Sequence, residues 1–523
     1  MYSNYRNKVY HVLKSGGCFN IAVHVGKTPA MVKIRTPSES GENSMSLHQK
    51  IKKNIPLRLV GWGLEYLLVV PHGQECEERM TFRSFIQRLE NQGNLVCITQ
   101  PISKAYEIAG VLKRLEPQPV LFDQVSESSF RVVGNLFCSK SAFADYFGLS
   151  TREIIPMLTR AIDGRSPCEL VREAPCQEVV VREPDLDQLP IPLHCLGDGG
   201  NYISAGVVIA RHPRFGQNLD FHRCMQYSKN EMAMRVVHSR HFDAFLRELG
   251  QVDVAVCVGN PPSVLAAAAT SVEIGVDELE IANALESLQV VRAKTVDLLV
   301  PAECEFVLEG TVYTDRRHAE GPFVDLTETQ DVVRQEPVFV VKTITHRKDA
   351  IWQALLPGGL EHKLLMGMPR EPTIFKQVNQ VARCLDVNID PGGCSWLHAI
   401  VQIDKQREAD GKNAIQAAFA GHRSCKHVFV VDKDINIYNP LEVSWAMATR
   451  FQGDEDMVVK DRETGSSLDP SAEVSTYLTT KIGFDLTKPL DAKGKSFDKT
   501  PFPEVDLDRF VGGEGDRGQE SQG

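Results

Sequence analysis

The sequence predicts a mixed α/β chain: an α/β layer domain, a β-rich middle domain, and a second α/β domain. Three observations carry this. Short helical and strand patterns alternate from residue 80 to about 189; strand-like runs crowd residues 195–345 with one Ala-rich helix among them; and the alternation resumes near 385 and lasts to about 490. Alternation of the two periods marks layered packing, whereas a crowd of strands calls for a barrel-like sheet. The 523 residues provide length for roughly two to four domains.

Residues 1–79 show no sustained helical or strand period, and the register becomes clear at Met80. In "MTFRSFIQRLENQGN", Phe82, Phe85, Ile86 and Leu89 fall at helical spacing, with Thr81 as N-cap and Gly93 as the stop. Met80 is therefore expected to be the native start. Glu77-Glu78-Arg79 can be encoded by purine-rich codons resembling a ribosome-binding site, and no signal-peptide core stands near Met1. A strand in "NLVCITQ", a helix in "KAYEIAGVLKRLE" and a strand in "QPVLFDQV" complete the first α/β layer. The Pro-rich "EPDLDQLPIPLH" (183–194) marks a boundary. Strands follow in "YISAGVVIAR", "VDVAVCVG", "VVRAKTVDLLV" and "PVFVVKTITHR", interrupted by the helix "PSVLAAAAT"; "HVFVVDKDINIY" and "PLEVSWAMATRF" restart the α/β pattern. The expected division is a non-native extension at 1–79, domains at 80–190, 191–385 and 386–505, and a polar, frayed tail at 506–523.

Composition narrows the function classes. The net charge is 58 − 68 = −10 with no Lys/Arg-rich block, which argues against nucleic acid or an anionic membrane surface as the main partner. Thirteen cysteines without a CxxC pair read as buried thiols in a reducing, cytoplasmic compartment rather than as a zinc or disulfide framework. The most apolar run, residues 59–70, is too short to span a bilayer and contains Glu65. No P-loop, strand-linked GxGxxG or HExxH occurs.

What remains is a set of polar residues in the middle segment. "RHAEGPFVDLTET" (317–329) places Glu320 and Asp325 five residues apart around a Gly-Pro step. Two carboxyls in different environments can divide proton transfer, one protonated by burial and one kept ionised by an Arg; a solvated turn is the plain alternative. "GQNLDFHRCMQ" offers Asn218 and Arg223, the latter a natural clamp for carboxylate or phosphate. A strand turns residues five apart to opposite faces, so both serve one site only across a bulge or bend. His238 and His241 lie one turn apart if "VVHSRHFDAF" is helical, and Glu278 opens an apolar helix, where it also suits the helix dipole. Asn, His and Glu together form a hard, mixed N/O set fit for Mn²⁺, Mg²⁺ or Fe²⁺.

In order, "NLDFHR", "RHFD", "GNPPSVLAAAATS", "GVDE", "VPAECEFVLEGT", "EGPFVD" and "KHVFVVDKDIN…VSWAMATR" resemble the UbiD family of prenylated-FMN-dependent decarboxylases. The resemblance runs from about Met80 to about Pro503, and residues 1–79 have no counterpart. It implies an N-terminal α/β domain, a split β-barrel middle domain of the flavin-reductase kind and a C-terminal α/β oligomerisation domain, assembled as a dimer or a hexamer of dimers. It implies reversible non-oxidative decarboxylation of an aromatic or α,β-unsaturated acid with prenylated FMN as electron sink. The substrate within that class extends to an isoprenoid-precursor acid or an aromatic acyl-CoA; the reading from another class is a non-catalytic flavin- or metal-binding subunit of a larger carboxylase.

By position, the resemblance assigns Asn218, His241 and Glu278 to a divalent metal, usually Mn²⁺, that holds the cofactor phosphate. It brings Lys426 to that phosphate, and a K⁺ beside the metal near "AAAATS". It makes Arg223 the residue that orients the substrate carboxylate, Glu320 its ionised partner and Asp325 the proton donor. A flavin prenyltransferase is the implied cofactor supplier. Many relatives read "EGPFGE"; Val324 and Asp325 here shorten the reach by one methylene and resemble the archaeal-type and anaerobic bacterial branch more than the fungal cinnamate branch.

Overall fold

The computed structural model describes the backbone of residues 12–15, 18–25 and 28–35, together with residues 80–238 and 240–506. It divides into two units, residues 1–76 and 77–523. The first unit contains three antiparallel strands, Val12–Ser15, Cys18–Val25 and Thr28–Arg35, paired in that order. This corrects the aperiodic reading of the first 79 residues. Phe19, Ile21, Val23 and Val25 do alternate with smaller or polar residues, and Pro29, which argues against a strand in sequence, is tolerated because the third strand is an edge. The expected tail beyond residue 506 lies outside the described residues, as does the segment around the suggested start before Met80.

The second unit opens with helix Phe82–Asn91. The Thr81 hydroxyl accepts the Ser84 N–H at 3.1 Å, the Ser84 hydroxyl accepts the Thr81 N–H at 2.6 Å, and Gly93 takes φ +72° just beyond the last turn. Phe82, Phe85, Ile86 and Leu89 are all buried, as the periodicity requires. From the other face Arg83 reaches both oxygens of buried Glu305 at 2.7 Å, joining this helix to the start of a long strand of the middle sheet. The first α/β layer is a four-stranded sheet ordered 351–353, 131–134, 120–122, 96–98. Its outer strand returns from the far side of the middle segment.

The middle sheet has nine strands, all antiparallel. Its path runs 216–221, 207–212, 251–258, 306–320, 334–346, 231–234, 224–226 and 201–203, with 179–181 added on 334–346. Strands 216–221 and 224–226 are consecutive in sequence and first and seventh in the sheet, with only His222 and Arg223 between them. A two-residue link spans about 10 Å at most, so the sheet must curl until these strands meet. The result is a half-barrel, the curled sheet expected from the crowd of β runs. The long pair 306–320 and 334–346 shifts register between Glu309 and Gly310, and a Cβ on Gly310 would collide with the Val340 carbonyl.

A third sheet, ordered 384–389, 398–403, 427–432, 478–485, 457–464, packs with helices Asp410–Gly421 and Pro440–Arg450. Helix Leu360–Gly367, the turn Met368–Arg370 and helix Glu371–Val378 lead into it. Lys140 of the first layer lies 2.5 Å from buried Glu371 and donates to the Val387 carbonyl at 3.1 Å, so a buried ion pair ties the first layer to the third. Within residues 80–506 every cysteine is a free thiol, and among the described residues no helix is long and apolar enough to cross a membrane.

Gly310 is packed against the neighbouring strand, so Gly310→Ala is expected to cost about 1–3 kcal/mol of stability. Chemical denaturation checks this; an unchanged midpoint would show that the two long strands can separate locally without penalty.

Candidate active site

Closure of the half-barrel decides where Arg223 sits. The chain leaves strand 216–221 at Phe221 and re-enters the sheet at Cys224, so the bend that the Asn218–Arg223 spacing needed falls at His222–Arg223. Glu320 is the last residue of strand 306–320. Gly321 follows at φ +100°, a conformation that favours glycine, and the hairpin 323–324/330–331 then returns Asp325 and Asp331 towards Arg223.

All three acids meet one guanidinium. Arg223 donates Nε to Glu320 Oε1 at 2.8 Å and Nη2 to Oε2 at 3.1 Å, Nη1 to Asp325 Oδ2 at 3.0 Å, and Nη2 to Asp331 Oδ2 at 2.9 Å. The Glu320 side chain is 0% exposed and also accepts the Tyr202 hydroxyl at 3.1 Å. The Phe323 ring lies 4.6 Å from the guanidinium carbon. Burial opposes the Arg223 charge, but Glu320, Asp325 and Asp331 hold it above its ordinary range. Burial likewise opposes ionisation of Asp331, yet Arg334, at 2.6 Å, and Arg223 keep it below the usual carboxylate range.

A second group forms at the far end of strand 216–221. Asn218 Oδ1 lies 3.0 Å from Nδ1 of His241, the first residue of helix His241–Leu249. Glu278, the first residue of helix Glu278–Leu285, accepts the Leu219 N–H at 2.8 Å. Asp277 caps that helix, freeing Glu278 to turn inward. Burial pushes the Glu278 carboxyl well above its ordinary range and lowers the His241 imidazole. Asn218 Nδ2 is enclosed and has no hydrogen-bond partner among the described residues. The Asn218 amide oxygen and the His241 ring nitrogen thus meet directly, and Glu278 holds the backbone of the next residue, Leu219; an amide oxygen, an imidazole and a carboxylate are donors of the kind that suit a divalent cation. Among the described residues no cluster of three His, Cys, Asp or Glu forms.

One reading of the sequence needs adjustment, and the contacts of Lys426 can be stated beside it. His238 does not lie one helical turn before His241: the helix begins at His241, and exposed His238 faces Asp243 at 3.5 Å. Lys426 is 2.8 Å from Asp469 and donates to Ser471 at 2.5 Å; among the described residues no hydrogen bond or ion pair joins it to Asn218, His241 or Glu278. Three residues were missed. Asp331 and Tyr202 carry no motif of their own and are recruited by strand pairing. His362, on helix Leu360–Gly367, is drawn to the site by packing; its Nδ1 accepts the Gly358 N–H at 3.1 Å, leaving Nε2 as the protonated nitrogen of the neutral ring. Burial lowers this imidazole against the pull of neighbouring Asp325.

The comparisons with known proteins fit this geometry. The models for the N-terminal, Rift-related and C-terminal domains of 3-octaprenyl-4-hydroxybenzoate carboxy-lyase match residues 86–162, 169–360 and 363–486. The chain belongs to the UbiD family. Among UbiD-family relatives, the anhydromevalonate phosphate decarboxylase of Methanosarcina mazei is 41% identical over 429 residues, 81% of this chain and 100% of the relative. That of Methanocaldococcus jannaschii is 40% identical over 415 residues, 78% of this chain and 97% of the relative. The solved UbiD-class enzyme HmfF from Pelotomaculum thermopropionicum, in complex with FMN, superposes with a TM-score of 0.80 at 34% identity, covering 82% of this chain and 100% of that one. The protein is a UbiD-family decarboxylase, hence a carboxy-lyase, with the mixed α/β fold of that class.

Helix Leu360–Gly367, which positions His362, also carries Glu361 into the first layer. Glu361 Oε1 accepts the Phe137 N–H at 3.3 Å, Oε2 has no hydrogen-bond partner among the described residues, and burial pushes its carboxyl up to about 8. A folded-state value above the unfolded one means that the folded protein binds the extra proton. The Glu361 contribution is therefore complete below about pH 4.5 and is lost as pH rises towards 8. Glu361→Gln should flatten the fall in stability across that window, measured by denaturation at stepped pH; a slope equal to wild type would show that Glu361 ionises freely.

Proposed function

We propose that this enzyme decarboxylates a phosphorylated, unsaturated isoprenoid-precursor acid, using prenylated FMN, with Arg223, Glu320 and Asp325 as its catalytic set. The observation that carries the reading is the guanidinium of Arg223, gripped by both oxygens of buried Glu320 while its Nη1 meets Asp325. The curated relatives named for anhydromevalonate phosphate favour the isoprenoid-precursor alternative over an aromatic acid. The intact acid–Arg–acid set speaks against a non-catalytic subunit.

Arg223 binds and orients the substrate carboxylate, and its pairing with Glu320 fixes the plane of the fork. When bound, the prenylated flavin supplies the electron sink for the pair released as the carbon–CO₂ bond breaks. Asp325 delivers a proton to the carbon that has lost CO₂, so that carboxylate plus proton becomes the C–H product plus CO₂. Three carboxylates face two guanidiniums in this cluster, Arg223 and Arg334, so one proton held there leaves every cation paired. Phe323 and Tyr202 lie against the Arg223–Glu320 pair, whose burial strengthens its charge interaction. Asn218, His241 and Glu278 would hold a divalent metal, Mn²⁺ by family resemblance, and through it the cofactor phosphate, with K⁺ nearby and Lys426 as a further phosphate contact. The same reading takes the curled sheet as a split barrel of the flavin-reductase kind, residues 386–505 as the homo-oligomerisation domain, a flavin prenyltransferase as cofactor supplier and the cytoplasm as location.

Removing a general acid costs typically 10²–10⁴-fold in rate. Asp325→Asn should therefore lower CO₂ release from anhydromevalonate phosphate by roughly that factor, and Glu320→Gln should abolish most turnover while the flavin absorbance of the loaded protein persists. Wild-type rates in Asp325→Asn would remove the proton-donor role. Release of CO₂ from an aromatic acid but not from anhydromevalonate phosphate would return the substrate to the aromatic class.

A further inference from the structure

We propose that Tyr202 is a positioning residue for the decarboxylation: its hydroxyl fixes Glu320, and through Glu320 the Arg223 fork, while its ring seats the loop that leads to Asp325. This role rests on the reading of Arg223, Glu320 and Asp325 as the catalytic set. Tyr202 lies on strand 201–203, which pairs with 224–226 so that Tyr202 stands opposite Met225. It is therefore one strand away from the point where the chain re-enters the sheet after Arg223. The residue is wholly buried. Its hydroxyl donates to Glu320 Oε1 at 3.1 Å, and its ring centre lies 4.3 Å from that of Phe323. The Phe323 ring in turn lies 4.6 Å from the Arg223 guanidinium carbon. One side chain thus touches the acid loop on both sides of its Gly-Pro step.

The donors at Glu320 show why the hydroxyl matters. Oε1 accepts Arg223 Nε and the Tyr202 hydroxyl, while Oε2 accepts Arg223 Nη2. Arg223 Nη1 and Nη2 also donate to Asp325 and Asp331, which draw the fork towards the hairpin. Two parallel bonds make the carboxylate and the guanidinium coplanar, yet they do not fix where that plane lies in the sheet. A third donor on a separate strand supplies the missing point. Burial and the Glu320 charge push the Tyr202 phenol up from its ordinary value against the pull of Arg223, so it remains the donor.

The backbone that carries Tyr202 is itself fixed. The Tyr202 N–H donates to the Pro192 carbonyl at 2.9 Å, and Asn201 Nδ2 donates to the Ile191 carbonyl at 2.8 Å. The stretch just before it runs flush against the acid loop. The Gly199 N–H donates to the Pro322 carbonyl at 2.8 Å, and a Cβ on Gly199 would lie 2.1 Å from the Gly321 carbonyl oxygen. Gln330 Nε2, on the returning strand of the hairpin, donates to the Leu196 carbonyl at 3.3 Å. Residues 196–202 therefore meet the loop at Glu320, Pro322, Phe323 and Gln330, and form the template against which Asp325 is set.

The test is Tyr202→Phe, which keeps the buried ring and removes only the hydroxyl. In the full-length chain loaded with prenylated FMN, kcat for CO₂ release from anhydromevalonate phosphate, per bound flavin, should fall by roughly 10- to 100-fold. KM should stay within about threefold, the split expected of a lost positioning contact. In the cofactor-free chain, hydrogen–deuterium exchange of the 320–331 amides should rise several-fold, with strand 427–432 unchanged. A wild-type kcat in the folded variant would overturn the proposal, as would a rise in KM alone. Glu320→Gln, run alongside, separates the two readings: wild-type turnover there removes the catalytic set, whereas an inactive Glu320→Gln beside a fully active Tyr202→Phe removes Tyr202 alone. If wild type leaves anhydromevalonate phosphate intact, the substrate reading falls, and unchanged loop exchange in Tyr202→Phe still overturns the role of Tyr202.

Discussion

The pairing of Arg223 with Glu320 is the constraint on which the rest of the structure depends. Taking a guanidinium and a carboxylate out of water costs several kcal/mol each, and the cost is offset only when the geometry is close to ideal and the remaining hydrogen-bonding groups are satisfied. Both conditions hold here, through two nearly parallel N–H···O bonds and the Tyr202 hydroxyl. They hold because the sheet is curled. Arg223 stands in the two-residue link that closes the half-barrel, and Glu320 ends the longest strand that crosses it. Opening the sheet would separate the pair and leave a buried charge on each side.

The same closure organises the site into two ends. Strand 216–221 carries Asn218 at one position and delivers Arg223 just past its other limit, so metal-type donors and the acid–Arg cluster share one stretch of backbone. Helix Leu360–Gly367 and the turn after it run beside both, with His362 near Asp325 and Arg370 near Ser271. The charge pattern differs sharply between the ends. Three carboxylates surround Arg223, whereas Arg370 meets the Ser271 hydroxyl and, among the described residues, no carboxylate.

Legibility in the sequence varied with the locality of the physics. Helix Phe82–Asn91 was readable to its cap because its four apolar residues and Thr81 all act within three turns. The first-unit strands were not, because their alternation is diluted by small and polar residues and broken by Pro29. His238 was grouped with His241 on the premise of a continuous helix, and the actual start at His241 separates them. Asp331 and Tyr202 had no signal at all: each is one polar residue on an ordinary strand until pairing brings it to Arg223 or Glu320.

By itself the sequence determined the order of the layers, the presence of a curled β-rich middle, the acid pair around Gly321-Pro322, and the family to which these motifs point. Those follow from periodicity, from short-range turn chemistry and from spacings along one strand of chain. Only the tertiary structure decided which acids share Arg223, that the bend between Asn218 and Arg223 coincides with closure of the sheet, and that Arg370 meets Ser271. These depend on contacts between residues about a hundred or more positions apart. No local pattern encodes them, because their geometry comes from how the half-barrel closes and which helix packs along it.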